Sequence, residues 1–434
     1  MPEHPLPRIA LLLPSLAAGG VGRSLLHLAE AFHAAGHPVD LVLCRAEGPY
    51  LSAVPAGVNI VTLRQQNGLA AQLQLAKLDP GGLMALARPA LLTRRPAPVQ
   101  PYLADLARYL ADMRPAALLA AKTPTNLLAL WARRLSGAPT RIVISERTQL
   151  SQSITLSRKW RWRHIAPLVA RTYPWADAIA AVSDGVADDL AVTTGLPRAI
   201  IDTVYNPVVT PELAVRAAES APHPWLDDGG TPVIVAAGRF VPQKNFPLLL
   251  RAFARLRERR PARLLIIGEG RERPRLQAQV EALGIGDDVA LPGFTENPYA
   301  AFSRAALFVL SSDYEGLGNA LIEALACGCP VVSTDCPSGP AEILDGGRYG
   351  ELVPVNDTEA LAAAMIRTLD APLPTDMLRR RGAAFSLQRS AGRYLDLLLP
   401  GRSGSAYAAG GPHTGIASAS MNNSNSVHHG RDNL

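Results

Sequence analysis

At 434 residues the chain is too long for one ordinary hydrophobic core, so two domains are expected, and 48% apolar with 18% charged residues is the composition of a soluble globular protein. No uncharged apolar run approaches the roughly 20 residues of a membrane-crossing helix, which excludes a membrane-spanning bundle. The net charge of +6 comes without a recognisable nucleic-acid module, and the four cysteines form neither a disulfide framework nor a zinc spacing. They read as small buried residues of a protein in the reducing cytoplasm.

The first apolar run, Arg8–Pro14, has the length of a short signal segment. Pro14 interrupts it, however, and a glycine loop with an amphipathic stretch (Ser24–Ala35) follows, so it reads as a buried first strand. Gly19, Gly20 and Gly22 lie between this strand and that helix. Their spacing is not the dinucleotide fingerprint; the loop is either a tight turn needing positive φ or a backbone contact to an anion or acceptor.

Strand patterns recur at Val39–Cys44, Asn59–Leu63, Ala116–Ala121, Arg141–Ser145 and Ala178–Ser183, with helical stretches such as Tyr102–Met113 between them. Leu69–Gln100 fits neither period and is an inserted helical excursion or a mobile loop. Glu146 and Arg147 end a strand at the expected cleft, as acceptor or sugar contacts or as a structural ion pair. Much of the positive charge lies in Arg88–Arg95 and in Ser157–Arg171, where Arg158, Lys159, Arg161, Arg163 and Arg171 stand among Trp160, Trp162, Ile165 and Leu168. Such a segment suits an anionic membrane surface, or a solvated helix with its apolar side on the core.

Residues 206–228 are proline-punctuated and polar, an interdomain linker between a first domain (1–205) and a second (229–399) whose last helix packs back on the first. Strands follow at Pro232–Gly238, Ala262–Gly268, Asp288–Gly293, Ala306–Ser311, Pro330–Thr334 and Tyr349–Pro354. Two successive doubly wound α/β domains place a ligand at the carboxyl ends of their strands, where every glycine-rich or charged motif of this chain falls. The 400–434 tail is rich in Gly, Ser and Asn with few large apolar residues, a composition that predicts disorder.

Three motifs carry chemistry. Arg239 and Lys244 stand at a strand end just before an amphipathic helix, two cations suited to a diphosphate, or a solvated loop. Glu315 and Glu323 have seven residues between them, with Gly316, Gly318 and Asn319 at the turn from strand to helix. A helix N-terminus after a glycine turn binds anions. A carboxylate one turn beyond Asn319 accepts both hydroxyls of a ribose, and Glu315, nearer the loop, meets the sugar. Together these describe a nucleotide-sugar site. Simple complementation of the helix dipole by two glutamates explains neither glycine.

With Ile144–Arg147, Ala181–Ser183, Tyr205–Pro207 and Gly268–Gly270, these motifs make the chain resemble, over roughly residues 8–398, the retaining glycosyltransferases of family 4. The stretch from Tyr314 to Leu344 is similar to members that transfer N-acetylhexosamines onto lipid-linked glycans. The resemblance implies the GT-B fold, two facing Rossmann-like domains with the site between them. It implies catalytic roles for Arg239, Lys244 and Glu315. Donor contacts would come from Gly19, Gly20 and Gly268, from Phe294 at the base, from backbone around Gly318, Asn319, Ala320 and Leu321 at phosphate, and from Glu323 at ribose. The donor would be UDP-linked and the acceptor a glycan or lipid-linked glycan at the cytoplasmic face of the membrane. The anomeric configuration would be retained, and no metal or other cofactor is expected, because cations and a helix N-terminus stabilise the leaving diphosphate. The chain departs from the family at the stretch Ala120–Leu130: many relatives carry a histidine there, whereas this sequence has Lys122, Thr123, Thr125 and Asn126, with Asn126 as the replacement contact. Two alternatives stand beside this reading: an epimerase of similar architecture, and a non-catalytic nucleotide-sugar-binding subunit of a glycan-assembly complex.

Overall fold

The computed structural model describes residues 6–17, 19–92, 99–157 and 159–401. Arg94, Arg95, Arg158 and almost all of the tail therefore lie outside the described residues. The first domain is a seven-stranded sheet: β1 Ile9–Leu13, β2 Val39–Leu43, β3 Asn59–Thr62, β4 Ala117–Ala121, β5 Arg141–Glu146, β6 Ala178–Ala181 and β7 Ile201–Thr203. The second is a six-stranded sheet: β8 Val233–Ala237, β9 Arg263–Ile267, β10 Val289–Gly293, β11 Leu307–Leu310, β12 Val331–Thr334 and β13 Glu351–Val353. The orders are β3-β2-β1-β4-β5-β6-β7 and β10-β9-β8-β11-β12-β13. All pairings are parallel, Ile9 lying opposite Val39 on one side and Ala117 on the other. Helices cover both faces of such sheets, so the central strands are buried throughout and read as unbroken apolar runs. The edge strands β3, β7, β10 and β13 are more exposed, and β7, three residues long, is too short to leave a pattern.

In each sheet the chain reverses direction once, between β1 and β4 and between β8 and β11. Loops leaving neighbouring strands part at such a point and open a crevice. At these crevices lie Ala17 and Gly19 after β1, Lys122 after β4, Gly238–Arg239 after β8 and Ser311–Gly318 after β11.

The segment after β3 is helical rather than loose: a helix over Gly68–Leu78 capped by Asn67, a tight turn at Pro80–Gly82, a helical turn over Leu83–Leu86 and a wider one over Ala87–Leu91. Arg171 fastens it through two 2.6 Å bonds to Asp79. The basic Trp segment is likewise two pieces, a turn over Trp160–His164 and a helix over Ile165–Thr172. Ile165 and Leu168 enter the core and Trp162 lies against it, whereas Trp160 stays exposed. The 206–228 stretch carries a short helix, Glu212–Ala217, tied to the second domain by Asn297 Nδ2 donating to Arg216 O at 2.7 Å. The last helix, Leu387–Leu398, packs on the first domain: Leu387, Ala391, Tyr394 and Leu398 join its core, and Arg141 Nε donates to Leu397 O at 2.7 Å.

Candidate active site

The second domain supplies the cations. Gly268 lies under the turn after β8; a Cβ there would stand 1.9 Å from Gly238 O, so its role is close backbone packing that holds the Arg239 loop. Arg239 is exposed and makes no ion pair or side-chain hydrogen bond among the described residues. Lys244 folds back over Gly238, whose missing Cβ leaves room for the lysine chain, and its ammonium meets Glu315 Oε1 at 2.5 Å. Ser312 Oγ donates to the same oxygen at 2.7 Å, and both members of the ion pair are largely buried. Asp313, in the same loop, accepts from Asn245 Nδ2 at 2.6 Å, and Asn245 caps the helix Phe246–Arg257.

Gly318, at φ +100°, turns the chain into the helix Asn319–Cys327, a conformation that L residues avoid. The first N–H groups of a helix have no intrahelical partner. Leu321 N–H is nevertheless used, donating to Gly318 O at 3.0 Å, so the half-buried Asn319 and Ala320 present the open end. Phe294, two-thirds exposed at 67%, stands beyond the end of β10.

The first domain reaches this helix directly. Gly20 begins the helix Gly20–Ala34, and a Cβ on it would lie 3.1 Å from Asn319 Nδ2. One turn on, Arg23 forms an ion pair across the cleft with buried Glu323. Burial pushes the Glu323 carboxyl up, and Arg23 opposes that shift. Arg23 escaped the sequence reading. Its signal is that a cation in the first turn opposes the helix dipole and therefore needs an anion from elsewhere.

Two further residues, lying in stretches that carry the resemblance but given no role by the sequence, close the seam. Asn206 accepts from Arg147 Nη1 at 2.6 Å and donates to Asn319 Oδ1 at 2.9 Å, linking first domain, linker and second domain. Glu342 accepts from the N–H groups of Asp184 and Gly185, each at 2.8 Å, at the start of the helix Asp184–Thr194. Gly316 lies against Arg147 O, and Ser183 Oγ donates to Gly316 O at 2.7 Å.

Glu146 and Asn126 turn under the cleft floor instead of into it. Glu146 is 2% exposed and accepts from Thr123 Oγ1 and Asn126 Nδ2, both at 3.1 Å, and from Tyr173 OH. Burial pushes its carboxyl up to about 7 against those hydrogen bonds. Asn126 is wholly buried, with its Oδ1 unpartnered. Arg147 is buried as well, its Nε and Nη2 without partners, and it lies over the ring of Tyr394.

Residues 18–212 match the family described as Glycosyltransferase Family 4, and residues 231–371 match Glycosyl transferases group 1. The two matches take in every strand but β1, and the residues of the seam. The chain belongs to the family 4 glycosyltransferases. It is 34% identical over 257 residues to the N-acetylgalactosamine-N,N'-diacetylbacillosaminyl-diphospho-undecaprenol 4-alpha-N-acetylgalactosaminyltransferase of Campylobacter jejuni, a match covering 59% of this chain and 66% of that protein. It is 33% identical over 172 residues to the lipopolysaccharide core biosynthesis glycosyltransferase LpsE of Rhizobium meliloti, covering 38% of this chain and 49% of that one. The chain thus aligns with less than two thirds of the length of these relatives. In fold it is similar to Anabaena Alr3699/HepE, crystallised in complex with UDP, with a TM-score of 0.70 at 17% identity, over 90% of this chain and 99% of that one. This family member has the GT-B arrangement, two parallel-sheet domains facing across a cleft.

Proposed function

We propose that this protein transfers a hexose or N-acetylhexosamine from a UDP-sugar to a glycan or lipid-linked acceptor, with retention of configuration and without a divalent metal. The observation that carries the reading is the meeting of three features in one cleft: the unpaired Arg239, the open start of the Asn319–Cys327 helix, and the Gly19–Gly20 loop of the facing domain. A diphosphate placed there meets a cation and N–H donors. Glu323 has one oxygen on Arg23 and keeps the other for ribose hydroxyls, while Glu315, paired with Lys244, serves the sugar. As the C1–O bond breaks, negative charge grows on the phosphate, where Arg239, Lys244 and the helix dipole stabilise it more than in the ground state. The acceptor proton passes to the departing phosphate oxygen.

The lipid-linked acceptor is supported by the diphospho-undecaprenol in the name of the Campylobacter relative and by one face of the first domain. There Leu69, Leu73, Leu83, Met84, Leu156 and Trp160 are exposed on packed neighbouring segments, amid Lys77, Arg88, Lys159, Arg161 and Arg163. Apolar side chains ringed by cations fit the interface of an anionic bilayer. Among the described residues, no helix is long and apolar enough to cross a membrane.

The test is release of free nucleotide from a panel of UDP-, GDP- and ADP-sugars in EDTA, with Lys244→Ala and Glu323→Ala as controls. Slow hydrolysis of a UDP-sugar, lost in both variants, is the expected result. Binding of donors with no turnover, even with glycan and lipid-linked acceptors present, would instead favour the non-catalytic subunit. NMR of the transferred product reads the anomeric configuration.

A further inference from the structure

Beside Arg23, the described residues of the cleft include a second cation outside the motifs that carry the resemblance, and this one is unpaired. Lys122 follows β4 at the crevice of the first domain, as Arg239 follows β8 at the crevice of the second. Strand order fixes what lies on either side of it. On the β1 side, Gly20 and Arg23 touch Asn319 and Glu323; on the β5 side, Arg147 O touches Gly316. Lys122 stands between these two contacts in the strand order, and Arg239 and Arg147 are the charged groups that act on it. Its side chain is open to the cleft and has no hydrogen bond or ion pair among the described residues.

Two observations mark this position as more than a surface lysine. Its backbone lies at φ +81°, a conformation costing an L residue about 1 kcal/mol, which glycine would adopt freely. Strain of this kind is kept where a side chain is needed. Its charge is also uncompensated: Arg239 and Arg147 are the neighbours that, after burial, hold its ammonium below the usual lysine range. Arg23 and Lys244, by contrast, are each neutralised by a glutamate. Arg23, on the β1 side, reaches Glu323, the ribose contact, and Arg147, on the β5 side, lies against Gly316 beside Glu315, so the β4 position of Lys122 is one step from the ribose end toward the sugar.

We propose that Lys122 is a catalytic residue of the acceptor half that, paired with Arg239 across the cleft, binds the sugar-bearing phosphate of the donor. This rests on the nucleotide-sugar reading above. Two unpaired cations at one cleft suit a phosphate whose single negative charge grows toward two. The phosphate bonded to the sugar is the group whose charge rises as its C1–O bond breaks and the electron pair passes to oxygen. Lys122 stays protonated throughout, and the acceptor's proton still goes to the leaving oxygen.

Calorimetric titration of the full chain with UDP and with UMP, in EDTA at fixed salt, tests this on wild type, Lys122→Gln, Lys122→Arg and Lys122→Gly. Loss of one charge-assisted contact should weaken UDP about tenfold or more in Lys122→Gln. UMP, which lacks the second phosphate, should change by less than about threefold, and Lys122→Arg should keep most of the UDP affinity. Lys122→Gly should unfold at the same temperature as wild type or higher, because the strain is relieved, and still lose UDP; this separates lost binding from lost folding. UDP affinity unchanged in Lys122→Gln, or UDP and UMP weakened equally, overturns the proposal while leaving the donor site standing. If wild type binds none of UDP, GDP and ADP, the nucleotide-sugar reading itself fails and the proposal falls with it.

Discussion

Replacing Glu146 by Gln should remove a pH-dependent weakness from the first domain. The carboxyl is buried, and its value is pushed from the ordinary 4.5 up to about 7. Between those values the folded state keeps a proton that the unfolded chain has released. Stability therefore falls as pH rises from about 4.5 to about 7 and levels off above. Each pH unit in that window is worth about 1.4 kcal/mol, so the full drop is about 3 kcal/mol. Gln fits the same hydrogen bonds. Its carbonyl takes the place of Oε1, which accepts from Asn126 and Tyr173, and its amide faces Thr123, whose hydroxyl turns to accept. Urea unfolding at pH 5, 6, 7 and 8, followed by tryptophan fluorescence, reads chiefly the first domain, because four of the five tryptophans precede β7. The difference in stability between Glu146→Gln and wild type should grow by about 3 kcal/mol across the window and stay flat above it. A difference that does not change with pH would refute the buried-carboxyl reasoning, since every other titrating group is common to both proteins.

Gly316→Ala would place a Cβ 2.1 Å from Arg147 O, so the two domains must part; small-angle scattering should show a larger radius of gyration, and donor hydrolysis should fall about a hundredfold. An unchanged radius would mean that the seam relaxes locally. Arg23→Gln strands the buried Glu323 carboxylate, at a cost of about 3–5 kcal/mol if the charge persists, and adding Glu323→Gln should recover part of it in thermal unfolding. A double variant less stable than Arg23→Gln would show that the pair is not coupled. Replacing exposed Leu69, Leu73, Met84 and Trp160 by Ser, with Lys159, Arg161 and Arg163 by Gln, should abolish flotation with anionic liposomes and leave hydrolysis of soluble donor intact. Undiminished flotation would put the membrane contact elsewhere.

The parallel sheets were legible because burial on both faces demands unbroken apolar runs, and each of those runs forms a strand. β7 was not, because its three residues take their order from pairing with β6 rather than from a pattern of their own. Within the site, Arg239, Lys244 and Glu315 sit on loops, and Glu323 on the helix that one of them opens, all marked by glycines in the sequence, so their neighbourhood could be read locally. Arg23 could not: its partner is 300 residues away and meets it only when the domains face each other. Asn206 and Glu342 share that dependence. Glu146 shows the opposite limit. A strand end gives a residue's address at the cleft but not the side its chain takes, and the hydroxyl of Tyr173 draws Glu146 beneath the floor.

The cleft is partly charge-balanced by its own side chains, and that balance bears on how binding energy is used. Lys244 meets a diphosphate only by leaving Glu315, exchanging one anion for another in a largely buried place. The net gain in the ground state is therefore small, and it grows only as charge accumulates on the departing phosphate, which is where interaction raises turnover rather than affinity. Glu315→Gln should expose the logic. Its carbonyl still accepts from the ammonium but carries no charge, so Lys244 is held less tightly and UDP should bind more tightly than to wild type, by about threefold to tenfold. Donor hydrolysis should nevertheless fall, because the contact proposed for the sugar is weakened while the product is retained. Calorimetry and nucleotide release on the same preparation decide the matter. Weaker UDP binding in Glu315→Gln would mean that the glutamate positions Lys244 for the diphosphate instead of competing for it.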